Sequence, residues 1–402
     1  MTCRGAAGEG SFEHAHPQPQ EARATSGTLA GKDLSKGGSA PMPEPLKDMF
    51  NPTSLRQFAL AIQSVCGSFK VEEFLESTLD ETWDSLELLA RGRQISTNLG
   101  RFLPQDYRAA IGVFDQVVPT YDGPGLFCIP DFVEIYGQEE DDWDFSVAAL
   151  GRYTQYASSE LAVRPFIIKH EDRMMAQMYA WSKDENEHLR RLASEGCRPQ
   201  LPWAPALTSF KQDPTPILPI LEQLKADPSQ YVRRSVANNL NDISKTHPDL
   251  VVKLAQDWFG ENEDTNWIVK HACRTLLKQA NREVLAIFGF LGAESIVVEG
   301  FELGTQSVQL GGDLVFSFEI AAKAPTKVRL EYAIDYVKAN GKRNRKIFQI
   351  SELSLKTGDK RQYNKTQSFA DMSTRKHYPG THSITLITNG AEREAHDFEV
   401  TE

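Results

Sequence analysis

The sequence predicts a multidomain chain, an all-α helical-repeat solenoid followed by an all-β sandwich, and three observations carry that reading. Apolar residues recur at helical spacing from Pro45 to about Gly289. Inside that stretch one motif returns at a period near the ~40–47 residues of HEAT-type repeats. Beyond Gly289 the period changes to strict alternation, with Gly-containing turns between short runs.

Taken in order, residues 1–41 are rich in Gly, Ala, Ser, Pro and His with few large apolar side chains. Such a stretch cannot bury enough surface to fold, so a disordered N-terminal extension is expected. No apolar core of a secretory signal occurs there. Residues 42–292 form the expected helical domain. Leu55, Phe58, Ala59 and Ile62 share one helical face, as do Phe74, Leu75, Leu79 and Trp83, and then Leu86, Leu89 and Ile95. Tyr121 to Pro130 reads as a Gly/Pro-interrupted connection, and the acidic run Glu139 to Asp142 as a solvated loop. Helical spacing resumes at Phe145, Ala148, Ala149, Tyr153 and Tyr156. In S-S-E-L-A-V-R-P-F, Ser158 or Ser159 is expected to cap a new helix with Glu160 in its first turn, kept short by Pro165.

The repeat then appears as D-E-N-E-H-L-R-R-L-A-S-E-G, D-P-S-Q-Y-V-R-R-S-V-A-N-N-L-N-D and D-T-N-W-I-V-K-H-A-C-R-T-L. Each copy opens on an acid, continues to an apolar residue (Leu189, Val232, Val269) and reaches a small apolar residue four positions on (Ala193, Val236, Cys273). The basic pairs Arg190/Arg191, Arg233/Arg234 and Lys270/His271 recur at spacings of 43 and 37 residues. Stacked repeats would place these pairs on equivalent edges and line one concave surface with positive charge. Along the first copy, Arg191, Ser194, Glu195 and Arg198 fall opposite the apolar face; Gly196, Pro199 and Pro202 then stop the helix and set Trp203 on a stiff turn. Along the second, Ser235, Asn238 and Asp242 form a polar line on the expected exposed side, beside Arg234 and Lys245.

Residues 293–402 are expected to form a small antiparallel sandwich of immunoglobulin-like class. Leu314, Phe316, Phe318 and Ile320 alternate, as do Val328, Leu330, Tyr332, Ile334 and Tyr336, and turns fall at Gly311-Gly312, Asn340-Gly341, Pro379-Gly380 and Asn389-Gly390. The hairpin Lys338 to Lys346 carries five basic residues, among them Lys342, Arg343 and Arg345. It reads either as a solubilising turn or as an arm laid on nucleic acid.

Composition narrows the function classes. The net charge of −11 argues against a surface that coats nucleic acid everywhere, but leaves room for a local basic face. Five cysteines without C-x-x-C spacing suit a reducing cytosol rather than a zinc site or a disulfide framework. No apolar run is long enough to span a bilayer. Phosphate-loop, dinucleotide, nucleophile-elbow and metalloprotease motifs are all missing, and no metal or other cofactor is implied. Glu160, Glu195 and Asp242 sit beside repeat-borne cations. Each has a structural reading as well: Glu160 on a helix dipole, Glu195 paired with Arg191 or Arg198, Asp242 paired with Lys245.

The motifs S-S-E-L-A-V-R-P-F, R-R-L-A-S-E-G-C-R-P-Q-L-P-W-A and Y-V-R-R-S-V-A-N-N-L-N-D-I-S-K resemble the bacterial DNA alkylation repair glycosylases built from HEAT-like repeats, in their AlkC branch. The resemblance runs from about Pro45 to about Leu291, and the sandwich resembles the immunoglobulin-like domain found in part of that branch. It departs from the family's pattern at Cys197 and Gln200. It implies a DNA glycosylase without lyase activity that acts in base excision repair in the bacterial cytosol. The substrates implied are cationic alkylated bases, 3-methyladenine and 3-methylcytosine, in double-stranded DNA, with no obligate protein partner. Carried onto this chain, the catalytic carboxylates are Glu160, Glu195 and Asp242, and the cleft tryptophan is Trp203. Phosphates would meet Arg164, Arg190, Arg191, Arg198, Arg233, Arg234 and Lys245. The competing expectation is a non-catalytic HEAT-repeat DNA-binding scaffold with inert carboxylates.

Overall fold

The computed structural model describes residues 45–372 and 375–402. The extension expected over residues 1–41 lies outside the described residues. Among the described residues, α-helices run from α1 (Pro52–Val65) to α16 (Arg282–Ile287), and eight strands follow from Ile296 onward. Among the same residues, no helix is long and apolar enough to cross a membrane.

The helical spacing translates directly into burial. Leu55, Phe58, Ala59 and Ile62 of α1 are at most 1% exposed. Trp83 departs from expectation by falling in a separate 3-10 turn, Trp83–Ser85, although it is still buried. The acidic run is no idle loop: Glu140–Asp142 is a 3-10 turn in which Asp142 pairs with Arg108 at 2.7 Å and Glu140 with Arg173 at 2.9 Å. The helix expected to be capped by Ser158 or Ser159 begins later, as α7 (Val163–Lys169). Ser159 is buried and donates instead to the Leu150 carbonyl at 2.8 Å.

The three repeat copies become α9 (Glu187–Glu195), α12 (Gln230–Ile243) and α14 (Glu263–Ala272), which pack side by side. Their small apolar positions Ala193, Val236 and Cys273 are fully buried between them. The first basic residue of each copy does not face outward as a rung. Arg190 reaches Asp227, the opening acid of the next copy, at 2.6 Å, and Arg233 reaches Asp264 at 3.0 Å. Both also donate to carbonyls at the start of their own copy, Arg190 to Asp184 and Glu185, Arg233 to Asp227 and Pro228. The repeated acid and the repeated base are thus two halves of one inter-repeat bond.

At the third copy no further repeat follows, and the β part supplies the acid. Lys270 pairs with Glu352 at 2.9 Å, and Glu352 also binds the buried Arg329. The strands are β1 (Ile296–Leu303), β2 (Ser307–Gln309), β3 (Asp313–Ala322), β4 (Thr326–Val337), β5 (Arg343–Leu355), β6 (Lys360–Ser368), β7 (Gly380–Thr388) and β8 (Ala391–Thr401). They form a three-stranded sheet, β1-β3-β6, and a five-stranded sheet, β2-β8-β7-β4-β5. One pair, β2 with β8, is parallel, so the sandwich is not wholly antiparallel. Phe316 and Phe318 of β3 meet Leu330, Tyr332 and Ile334 of β4 in its core.

Strand β4 is buried on both faces, including Arg329, Glu331 and Ala333. Its second face is covered because the five-stranded sheet packs on the end of the solenoid. The Asn389-Gly390 turn seals that contact: Asn389 donates to the Lys327 carbonyl at 2.9 Å, and a Cβ at Gly390 would stand 2.7 Å from the Ala280 methyl. Gly390 has φ of +76°, so the turn and the close approach require the same residue. A solenoid end needs a cap, and here the sheet is that cap.

Replacing Glu352 by Ala strands Lys270 and leaves Arg329 with Glu331 as its one carboxylate, beside Gln349. A loss of roughly 1–3 kcal/mol is expected, measurable as a lower urea midpoint, whereas exposed Glu261→Ala should change the midpoint little.

Candidate active site

Two helices bring the site together. The Ser235 hydroxyl of α12 bonds the Ser194 hydroxyl of α9 at 3.0 Å, and Asn239 donates to the Ser194 carbonyl at 2.8 Å. This locks the C-terminal end of α9 beside the last turns of α12, so Glu195, Arg198 and Asp242 become neighbours although 44 residues separate the last two.

From there an alternating chain of charge runs from α12 back to the segment before α7. Glu160 touches Arg191, which lies 3.6 Å from Glu195. Glu195 accepts from Arg198 at 2.6 Å, Arg198 forks onto Asp242 at 2.8 and 2.9 Å, and Asp242 accepts from Lys245 at 2.8 Å. The three expected carboxylates therefore share one face, each held by cations. The face is not the open one that helical spacing suggested. Ser194, Glu195, Arg198, Ser235 and Asp242 are all buried, Asp242 to 2% exposure, because neighbouring copies close over them. Burial works against the charge on Arg198, but Glu195 and Asp242 together hold its pKa above the ordinary arginine value.

The carboxylates differ in what remains free. Both oxygens of Asp242 are taken, one by Arg198 and one by Lys245. Oε2 of Glu195 and Oε1 of Glu160 accept no hydrogen bond among the described residues: Arg198 donates to Oε1 of Glu195, and Ser158 to Oε2 of Glu160. Glu160 is the most open of the three, its side chain 23% exposed. The Ser158 hydroxyl lies 2.7 Å from Glu160 and accepts from Arg191 at 2.7 Å.

Trp203 stands out from the fold. It is 67% exposed, and its φ of +66° lies in the left-handed region that bulky residues avoid. Together with Tyr156, Ser158, Glu160, Leu161 and Pro202 it lines a cleft of about 320 Å³; Glu195 and Asp242 lie beyond that lining. An exposed aromatic that sequence reading missed, Tyr231, lies under Arg191, whose guanidinium carbon is 5.1 Å from the ring centroid. The only hint in the sequence was its place as the residue before the V-R-R of the second copy.

The expected phosphate contacts divide. Arg164 is buried and spends its guanidinium on backbone carbonyls, Arg198 is buried between two acids, and Arg190 and Arg233 join repeats. Burial and these commitments remove all four from a solvent-facing row. Arg343 is tied to Ser383 and to the Thr381 carbonyl, and Arg345 to Asp335 and Glu392. Arg234, Lys245 and Lys342 are exposed, and Arg191 is partly so.

Comparison with known proteins fits this geometry. A family model described as "DNA alkylation repair enzyme" matches residues 138–283, and one for the C-terminal Ig-like domain of the uncharacterised protein YhaZ matches residues 297–402. The chain is 44% identical to uncharacterised protein YhaZ of Bacillus subtilis over 88% of its own length and 99% of that protein's. The structure of the Pseudomonas fluorescens alkylpurine DNA glycosylase AlkC, bound to DNA containing an abasic site analog, superposes with a TM-score of 0.85. That match is 37% identical and covers 89% of this chain and all of the other. The chain belongs to the AlkC family. As an AlkC-family member it has the helical body and the appended Ig-like sheets in one chain, and the charged cleft lies within the matched repair-enzyme segment. Cys197 is a packing position: the thiol is fully buried, and burial pushes its pKa up to about 12.

The third repeat copy also contains a pH-sensitive group. Burial, then the charges of Arg274 and Arg234, lowers the His271 pKa from 6.5 to about 4. An unfolded chain binds that proton below about 6.5, so the contribution of His271 to stability is present at neutral pH and lost as pH falls toward 4. His271→Gln is therefore expected to show a shallower loss of stability across that window in urea melts at stepped pH.

Proposed function

We propose that the protein is a DNA glycosylase that hydrolyses the N-glycosidic bond of cationic alkylated bases, 3-methyladenine and 3-methylcytosine among them, without lyase chemistry. The observation that carries this reading is the row of three carboxylates, interleaved with three cations, next to a tryptophan held exposed on a strained turn. Alkylation of a ring nitrogen leaves the base positively charged and a good leaving group, so no general acid is needed. Positive charge then grows on the deoxyribose as an oxocarbenium ion, which nearby carboxylates stabilise. One unit charge at ~4 Å with an effective dielectric near 20 is worth ~4 kcal/mol, about a thousandfold in rate.

The interleaved cations serve the same end. Three bare carboxylates would repel one another and the phosphate backbone, whereas Arg191, Arg198 and Lys245 offset them charge for charge. Glu195 and Glu160 each keep one oxygen without a hydrogen bond, which supports assigning them to the sugar and the attacking water. Asp242, with both oxygens engaged, suits holding Arg198 and the local field. Trp203 presents an indole face to the cationic base, worth ~0.5–2 kcal/mol by cation–π attraction. Double-stranded DNA is the partner, held through phosphate contacts from Arg191, Arg234, Lys245 and Lys342.

Base release from methylated DNA, resolved by base identity, tests the reading. Glu195→Gln and Asp242→Asn are each expected to lower the rate on the order of a thousandfold while duplex affinity stays within a few-fold. If the unaltered protein releases no base, the activity is refuted and the DNA-binding scaffold stands in its place. For the β4–β5 hairpin, Lys342→Gln with Lys346→Gln is expected to lower the slope of log affinity against log salt by up to about 2, near 0.9 per phosphate lost. An unchanged slope would make the hairpin a solubilising turn.

A further inference from the structure

Arg164 is 2% exposed, and no carboxylate stands within ion-pairing distance of it among the described residues. A buried cation without an acid is costly, and burial lowers its pKa from 12.5 to about 10. What replaces the acid is backbone. Nη1 donates to the Gly196 carbonyl at 3.1 Å and to the Arg198 carbonyl at 2.9 Å; Nε and Nη2 both donate to the Pro205 carbonyl, at 3.2 and 2.6 Å. These bonds fall on the two ends of one segment, 196–205, that leaves α9 and returns to the body of the protein.

Two residues the proposed reaction depends on ride on that segment. Arg198 bridges Glu195 and Asp242, and its own carbonyl is one that Arg164 grips. Trp203 lies two residues before Pro205 and has a backbone that its own conformational preference does not support. Backbone bonds of the segment's middle are few: Ala204 N donates to Leu201 O at 3.3 Å within it, and Leu207 N, just beyond it, to Pro199 O at 3.2 Å. A planar fork with several fixed donors is suited to clamping carbonyls from both ends, which a lysine ammonium cannot reproduce.

We propose that Arg164 is a positioning residue that sets Arg198 and Trp203 for base release by clamping the 196–205 segment at both ends. The inference rests on the glycosylase reading for its kinetic consequence but not for its structural one. It also assigns the invested cost of a buried cation to alignment of the cleft rather than to a phosphate contact.

Arg164→Lys and Arg164→Gln test it, in full-length protein labelled with 5-fluorotryptophan and assayed below each variant's melting temperature. The chain has six tryptophans, and loss of one fluorine signal in Trp203→Phe assigns that residue. In both Arg164 variants the Trp203 signal is expected to shift or broaden while the other five keep their positions. The kcat for base release should fall about 100-fold, as for a misplacement near 1 Å, with a smaller change in KM. An unmoved Trp203 signal, or kcat retained with only the melting temperature lowered, would overturn the proposal. If the unaltered protein releases no base, the activity reading falls separately, and the fluorine signal still decides whether Arg164 places Trp203.

Discussion

Three carboxylates stand in one row, with Glu160 at the cleft and Glu195 and Asp242 behind it, because three cations are threaded between them, in the order Glu160, Arg191, Glu195, Arg198, Asp242, Lys245. Remove the cations from that sequence and the acids would repel one another at close range in a poorly solvated groove. Burying paired charges gains little net stability in general, since desolvation offsets most of the attraction. The network is therefore better understood as alignment than as a source of folding energy. Its members come from three places in the chain: the segment before α7, the end of α9 with the turn after it, and the end of α12.

The same logic of paired charge extends along the solenoid at its other edge. Arg190–Asp227 and Arg233–Asp264 bind each repeat copy to the next, and Lys270–Glu352 binds the last copy to the sheet. One basic position per copy holds the stack together; the next position along, Arg191 or Arg234, is turned toward the cleft or solvent. The Ig-like sheets are thus continuous with the solenoid's own bonding pattern rather than loosely appended. A buried second face of β4 is the consequence.

Much of the fold was legible because its signals are local. Helical spacing foretold the buried face of α1, alternation foretold β3, and the repeat foretold the packing of α9, α12 and α14. Burial in the site was not legible. A helix viewed alone shows Ser194, Glu195, Arg198 and Asp242 opposite its apolar stripe and so assigns them to water. Neighbouring copies cover that side as well, and nothing in the periodicity of one helix reports what packs on its polar face. The structural pairings read for Glu195 and Asp242 proved real, while Glu160 turned out to pair with Arg191, far along the chain.

By itself the sequence determined the order of an α solenoid and a β sandwich and the repeat, because residue type and spacing encode these directly; the carboxylates and the tryptophan were singled out through the resemblance of the motifs that contain them. Only the tertiary structure decided which cations are available. Arg164, Arg190, Arg191, Arg198, Arg233 and Arg234 look alike as letters. Their roles diverge because a guanidinium's role is set by the acceptors that folding brings within about 3 Å. For Arg164 these are backbone carbonyls, for Arg190 and Arg233 the acid of the next repeat, for Arg191 and Arg198 the carboxylates of the cleft, and for Arg234 solvent.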